Sequence, residues 1–421
     1  MSASEASRLP PTWVTVVALG MLLGLQPITT DLYLPALPQM QRALGVSPSA
    51  AQLTLSVLVL AFGVGQLVWG PVADRIGRRP VLRWGLSLFV LASGLTCIAS
   101  SLSLMVAARA AQGACLAAAV VCGRAMIRDL YAPVDGARMM TWGMAGLGLI
   151  ALAGPIIGGV TATHLGWRST LATVGIFGAL TLLFVVWRLP ETLPPERRTV
   201  HAHPAQLLHD WWTIAQHPTF QAHTLLTSST YAGLFVCLAA SSFVFIDLLD
   251  CTGQTYGVVM ASLSLSYLVG VSWCRRLLTQ RGLIGTVRIA GLVTLSAGLW
   301  MAGVSAITAL TTGPPTLYGL LPGMWLYACA HGIHQPCGQT GIVSAFARHA
   351  GAASALSGFV LATVAFGVSA VLAACMKLPL WANTIHPMSL GMAVGAACTA
   401  WVALNLVQRN GLAPALNTDP S

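Results

Sequence analysis

Charge is what this chain has least of. Charged residues make up 8% of its 421 positions, against about 25% in ordinary soluble domains. Only 11 residues are acidic, whereas 56% are hydrophobic, and the mean hydropathy is +0.76. Such a composition excludes a soluble globular domain and implies an integral membrane protein. The ten cysteines are scattered with no CxxC pair, so neither a disulfide framework nor a zinc site is indicated. No G-x-x-x-x-G-K-[ST] phosphate loop occurs, which disfavours an ATP-driven pump. A polytopic enzyme or sensor would need a catalytic cluster on a loop or an appended soluble domain, and neither is found.

What is present is a series of apolar runs about 20 residues long, the length of a helix across a hydrocarbon core of about 30 Å. Barrel strands would be alternating stretches of about ten. The expected spans are 13–38, 50–71, 81–101, 103–124, 138–161, 168–188, 220–246, 254–274, 283–307, 316–342, 350–374 and 385–408. The expected fold is therefore an all-α membrane protein of twelve transmembrane helices in two six-helix halves, 1–188 and 220–421. Residues 189–219 join them. That linker is rich in proline and charge, then reads Ala205-Gln206-Leu207-Leu208-His209-Asp210-Trp211-Trp212, a short amphipathic helix for the membrane surface. The histidines around it (His201, His203, His209, His217, His223) are too irregularly spaced for a metal site. The first apolar stretch is too long for a cleaved signal peptide and should stay as a membrane helix.

The formal charge of +10 does not indicate a nucleic-acid partner, because the basic residues gather at the ends of alternate spans. With the N-terminus inside, the inner face holds Arg8, Arg75, Arg78, Arg79, Arg83, Arg124, Arg128, Arg138, Arg188, Arg197, Arg198, Arg275, Arg276, Arg281, Arg288, Arg348 and Arg409. The outer face holds only Arg42, Arg168 and Lys377, and Arg109 falls within a span. This asymmetry places both termini in the cytoplasm.

Asp31 is the only acidic residue inside a span on this segmentation. A carboxylate in hydrocarbon costs about 2.5–3.5 kcal/mol or more, so such residues usually line a cavity or couple to an ion. Arg109 lies in the first turns of the fourth span, followed on the same face by Gln112. It reads either as an arginine snorkelling to the headgroups or as a partner for Asp31. At about 1.5 Å per residue, Asp31 is roughly 27 Å from Trp13 and Arg109 roughly 9 Å from the start of its span. Both then fall in the outer half of the membrane, and contact is open.

Four further stretches carry polar or backbone-breaking residues. Gly70-Pro71-Val72-Ala73-Asp74-Arg75-Ile76-Gly77-Arg78-Arg79 follows the second span, with an acid and glycines that a merely topogenic loop does not require. Gly154-Pro155-Ile156-Ile157-Gly158-Gly159 in the fifth span combines close-packing glycines with a proline that can kink the helix. The tenth span holds His331, His334 and Gln335, read either as interior polar groups or as substrate or proton contacts. In the seventh, Tyr231, Phe235 and Phe243 form either core or an aromatic wall.

These motifs resemble the major facilitator superfamily. Gly70, Asp74, Arg75, Gly77, Arg78 and Arg79 match its G-x-x-x-D-R-x-G-R-R loop, which implies a cytoplasmic gating latch, with Asp129 as partner for the arginines. After the eighth span only Gly270 and Arg275-Arg276 stand where a second copy would lie. Arg109 to Gly113 is similar to the family's R-x-x-Q-G proton-relay motif. Gly154, Pro155, Gly158 and Gly159 resemble its antiporter motif. Asp31-Leu32-Tyr33-Leu34-Pro35-Ala36-Leu37-Pro38, Arg128-Asp129-Leu130-Tyr131 and Glu191-Thr192-Leu193-Pro194-Pro195-Glu196-Arg197-Arg198 together resemble the Bcr/CflA group of drug exporters. The resemblance implies proton-driven efflux of small, mostly apolar drugs across the bacterial inner membrane, with no cofactor beyond the proton gradient. Asp31 and Arg109 would couple protons. Tyr33, Gln112, Tyr231, Phe235, His331 and Gln335 would line the cavity of a monomer. The alternative is export of one endogenous metabolite such as a sugar, siderophore or amino acid.

Overall fold

The computed structural model describes residues 10–198, 204–311, 316–346, 349–381 and 383–412; Arg8, His201, His203 and Arg348 lie outside them. Helices dominate, in the order α1 Thr12–Thr30, α2 Leu37–Ala43, α3 Pro48–Ile76, α4 Arg78–Ile98, α5 Leu102–Leu130, α6 Pro133–Leu165 and α7 Trp167–Arg188. They continue as α8 Pro204–Gln216, α9 Pro218–Ser242, α10 Gly253–Leu310, α11 Leu317–Ala345, α12 Ala350–Cys375 and α13 His386–Trp401. Both α9 and α13 run on through a π-helical turn, Phe243–Leu248 and Val402–Leu406. Side-chain caps start several of them, as expected where the first N–H groups lack helical partners. Ser47 accepts from the Ala50 N–H at α3, Ser101 from Leu104 at α5 and Thr316 from Gly319 at α11.

Ten helices among the described residues are long and apolar enough to cross a bilayer. One of them, α10, joins the expected eighth and ninth spans across Gly282, whose φ of +65° is not helical. The tenth expected span, α11, is a helix of 29 residues whose histidines and glutamines keep it out of the ten. With these two cases resolved, each of the twelve expected spans is matched by helix among the described residues, the first of them interrupted.

The structure corrects two boundaries that bear on function. The first span is broken rather than continuous: α1 ends at Thr30, a short 3₁₀ turn covers Leu34–Ala36, and α2 follows. Pro35 and Pro38 supply no N–H, so the i→i−4 ladder cannot pass through them, and the Leu34 N–H closes on the Asp31 carbonyl at 3.3 Å instead. The seventh span extends to Leu248 and so includes Asp247; Asp31 is not alone among span acids.

The chain divides into two compact units. The first comprises 1–202, 238–265 and 365–388, the second 203–237, 266–364 and 389–421. The core of the first is an apolar cluster around Leu22, Leu25, Leu86, Phe89, Leu116 and Val174. That of the second centres on Leu226, Val287, Ile333 and Val407. The linker helix α8 forms where expected, with Ile214 buried and Trp212 67% exposed.

Candidate functional site

The break after Thr30 makes the site. Ending α1 at Thr30 leaves carbonyls of its last turn without helical N–H partners. Arg109, 0% exposed, reaches across from α5 to fill that need. Its Nη2 donates to the Thr29 carbonyl at 3.1 Å, its Nε to the Thr54 carbonyl of α3 at 3.4 Å and its Nη1 to Gln112 Oε1 at 2.7 Å. The guanidinium carbon stands 4.3 Å from the centre of the Tyr33 ring, a cation–π distance. Arginine is suited to this because its planar fork addresses several acceptors at once. It does not snorkel.

Asp31 lies at the same break but does not pair with Arg109: among the described residues no ion pair includes it. Its Oδ1 accepts from the Thr30 hydroxyl at 2.8 Å. The side chain is half-buried at the C-terminal end of α1, where the helix dipole opposes negative charge. Proximity in depth, which suggested a pairing, brought the two residues to one break without aiming them at each other.

The expected cavity residues divide. Tyr33 is fully buried, its hydroxyl 2.9 Å from both Thr54 Oγ1 and Met40 Sδ. Gln112 is fully buried and donates to Ser93 Oγ at 2.8 Å while accepting from Arg109. Phe235 is 1% exposed. All three belong to the interior, because periodicity alone does not separate a cavity face from a core face. Tyr231 and Gln335 remain half-buried, and the ring of His331 lies 6.2 Å from that of Tyr231.

The glycines of the fifth span pack on the break itself. A Cβ on Gly158 would overlap the Leu32 carbonyl, and one on Gly154 would lie 4.0 Å from Leu32. Gly159 abuts the Gly253 carbonyl, and the Pro155 carbonyl meets Gly257, so α6 is held against the start of α10. Gly158→Ala is expected to displace Leu32, the neighbour of Asp31, at a cost of about 1–3 kcal/mol of overpacking. The thermal midpoint of the purified protein should fall accordingly; an unchanged midpoint would show that the break tolerates the shift.

The 70–79 motif is not a loop. A single residue, Gly77, separates α3 from α4, with φ +106° and ψ 161°, a region essentially confined to glycine. The turn brings its charges together. Arg78 pairs with Asp74 at 2.6 Å and with the expected partner Asp129 at 3.0 Å. Arg79 donates from Nη2 to the Val186 carbonyl at 2.8 Å. Arg75 is exposed in the last turn of α3, and Gly70 has no neighbour within 4 Å of an added Cβ.

Sequence reasoning missed Glu191 as a member of this cluster. Its carboxylate accepts from the Arg78 N–H at 2.9 Å and the Arg79 N–H at 3.2 Å, capping the start of α4. The only signal was its place in the Glu191-Thr192-Leu193-Pro194 stretch, which lies far away in the chain. Gly77→Ala should lower the stability of the purified protein by about 1–3 kcal/mol, since the added Cβ meets both a forbidden φ and the Glu191 carboxylate. An unaltered thermal midpoint would contradict the strained turn.

Within the same unit two further polar pairs were also missed. Arg42, just after the break, pairs with Asp247 at 2.7 Å, and His164 Nε2 lies 2.6 Å from Gln254 Nε2. Asp247 lines a small cavity of about 110 Å³ together with Phe243, Met376 and Trp381.

Known proteins are similar to this chain. The chain is 27% identical over 402 residues to the chloramphenicol resistance protein of Pseudomonas aeruginosa, covering 88% of this chain and 93% of that protein. It is 25% identical over 402 residues to the bicyclomycin resistance protein homolog of Haemophilus influenzae, covering 95% and 97%. The solved structure of a D-xylose-proton symporter superposes with a TM-score of 0.73 at 16% identity, covering 96% of this chain and 99% of that one, which shows a shared fold. The family described as Major Facilitator Superfamily matches residues 19–370. That match takes in the Gly77 turn, the break in the first span and most of the helices, and the chain belongs to the Major Facilitator Superfamily.

Proposed function

We propose that the protein is a proton-coupled exporter of small, mostly apolar drugs, working as a monomer in the bacterial inner membrane with both termini in the cytoplasm. Two relatives that align over most of their length are named for chloramphenicol and bicyclomycin resistance, and the basic residues bias the termini inward. Residues 1–188 and 220–421 act as two six-helix halves that rock about a central cavity, with 189–219 as their tether. The Asp74–Arg78–Asp129–Glu191 cluster holds the cytoplasmic end of the N-terminal half. The Arg42–Asp247 pair is a latch on the outer side.

One observation carries the coupling: Asp31 is a half-buried carboxylate at a helix break with no cation paired to it among the described residues. Charging it there is expensive. It takes up a proton when the break faces the acidic outside. It releases that proton when substrate or cytoplasmic water enters beside it. Arg109 braces the break rather than relaying protons.

Cells with and without the gene, challenged with chloramphenicol, bicyclomycin and fluorescent dyes, test the function. Expression should raise tolerance and lower dye accumulation, and a protonophore should abolish both effects. Unchanged tolerance together with excretion of one metabolite would overturn the drug reading in favour of a dedicated exporter.

A further inference from the structure

The second unit holds a group of side chains that the coupling machinery does not use. Three rings meet there from three helices. The His331 ring of α11 lies 5.7 Å from Tyr267 of α10 and 6.2 Å from Tyr231 of α9, tilted by 38° and 42°. His331 is held in place because its Nδ1 is 3.2 Å from the Thr230 hydroxyl, while the Thr230 carbonyl accepts from Tyr327 at 3.1 Å. Tyr327 and Phe235 close the back of the group, fully or almost fully buried. Tyr231 and Tyr267 stay half-buried, so the rings have a packed side and an accessible side.

Gln335 stands one helical turn beyond His331, on the same face of α11. Its Oε1 is buried and has no hydrogen-bond donor. A buried carboxamide oxygen without a partner is costly in a folded protein, and such a group calls for a donor. The helices of this unit also constrain the charge of any ligand. Among its described residues the only acid is Asp210, on the surface helix α8, so an organic cation would find no counter-ion beside the rings.

We propose that Tyr231, Tyr267, His331 and Gln335 form a recognition subsite for an uncharged aromatic ligand that carries an N–H or O–H donor. The ring of the ligand packs against the two tyrosines, and its donor bonds Gln335 Oε1. This deepens the exporter reading, because it names the chemical class that the cavity selects. Selection rests on one hydrogen bond: a ligand lacking the donor leaves the carboxamide unpaired, and a ligand lacking the ring loses the stacking surface.

Binding of 7-hydroxycoumarin and 7-methoxycoumarin to the purified full-length protein in lipid nanodiscs tests this. In mildly acidic buffer both probes are uncharged and differ in the donor. The native protein should bind the hydroxy compound about tenfold more tightly, the worth of one neutral hydrogen bond. Gln335→Met should erase that preference by weakening the hydroxy compound alone. Tyr267→Ala should weaken both probes, and Tyr267→Phe should restore both, which separates a lost ring from a misfolded variant. The inference is overturned if Gln335→Met weakens both probes equally or neither, or if Tyr267→Ala leaves both unchanged. Because binding is read without a proton gradient, these outcomes are independent of whether cells expressing the protein show energised efflux. Failure of the subsite and failure of the exporter reading are therefore distinguishable.

Discussion

Arg109→Ala is expected to abolish transport and to lower the stability of the purified protein by several kcal/mol. The guanidinium serves the Thr29 carbonyl, the Thr54 carbonyl and Gln112 Oε1, and stands over the Tyr33 ring. Each buried acceptor left without its donor costs about 1–3 kcal/mol, and the truncation adds a cavity in a packed interior. One effect runs the other way. A buried cation with no paired carboxylate carries a desolvation penalty, which its removal relieves. Arg109→Met separates the two contributions, because it keeps much of the volume and removes the charge. Stability should recover in part with methionine, but transport should not, since the break in the first span loses its brace. Arg109→Lys should fail as well, as a single ammonium cannot reach acceptors on α1, α3 and α5 together. Thermal unfolding followed by tryptophan fluorescence, alongside efflux from vesicles, checks each point. A stable, active Arg109→Ala protein would contradict the bracing role.

The second large effect concerns Asp31. Asp31→Asn preserves the shape of the side chain and its neighbourhood with Thr30, but fixes it in the neutral state. In everted vesicles the variant should lose accumulation driven by an imposed pH gradient. Movement of the drug down its own concentration gradient should persist, since the break and the glycines packed on it are intact. A tenfold or greater fall in driven accumulation is expected, one power of ten being about 1.4 kcal/mol of coupling. Loss of both activities together would instead indicate a structural role for Asp31.

Much of this arrangement was legible in the sequence because charges are so rare in it. An acid and three arginines around Gly77 had few partners available, and Asp129 was found among them. Asp31 and Arg109 were placed at similar depth by counting residues along helices. Depth is only one coordinate, however. Arg109 turned to backbone carbonyls, that of Thr29 beside the break in the first span and that of Thr54 inside α3, and backbone groups are invisible to reasoning by residue type. Glu191 stayed hidden for a different reason: it caps α4 from a proline-rich segment 113 residues away from Arg78. Tyr33, Gln112 and Phe235 have the polarity or aromaticity expected of cavity residues, yet they are satisfied inside the helix packing. Tyr267 lies in no recognisable motif, and only the meeting of α9, α10 and α11 brings it to His331. Asp247 was lost to a boundary, since the π-helical turn carries the seventh helix past the point where its hydropathy falls.

Proton release from the solubilised protein tests the central claim most directly. Adding a transported drug to the native protein in weakly buffered solution with a pH indicator should release protons, because drug entering beside Asp31 displaces the proton it holds. Asp31→Asn should bind the drug and release none. Equal release from the native protein and the Asp31→Asn variant would contradict the assignment of Asp31 as the proton site.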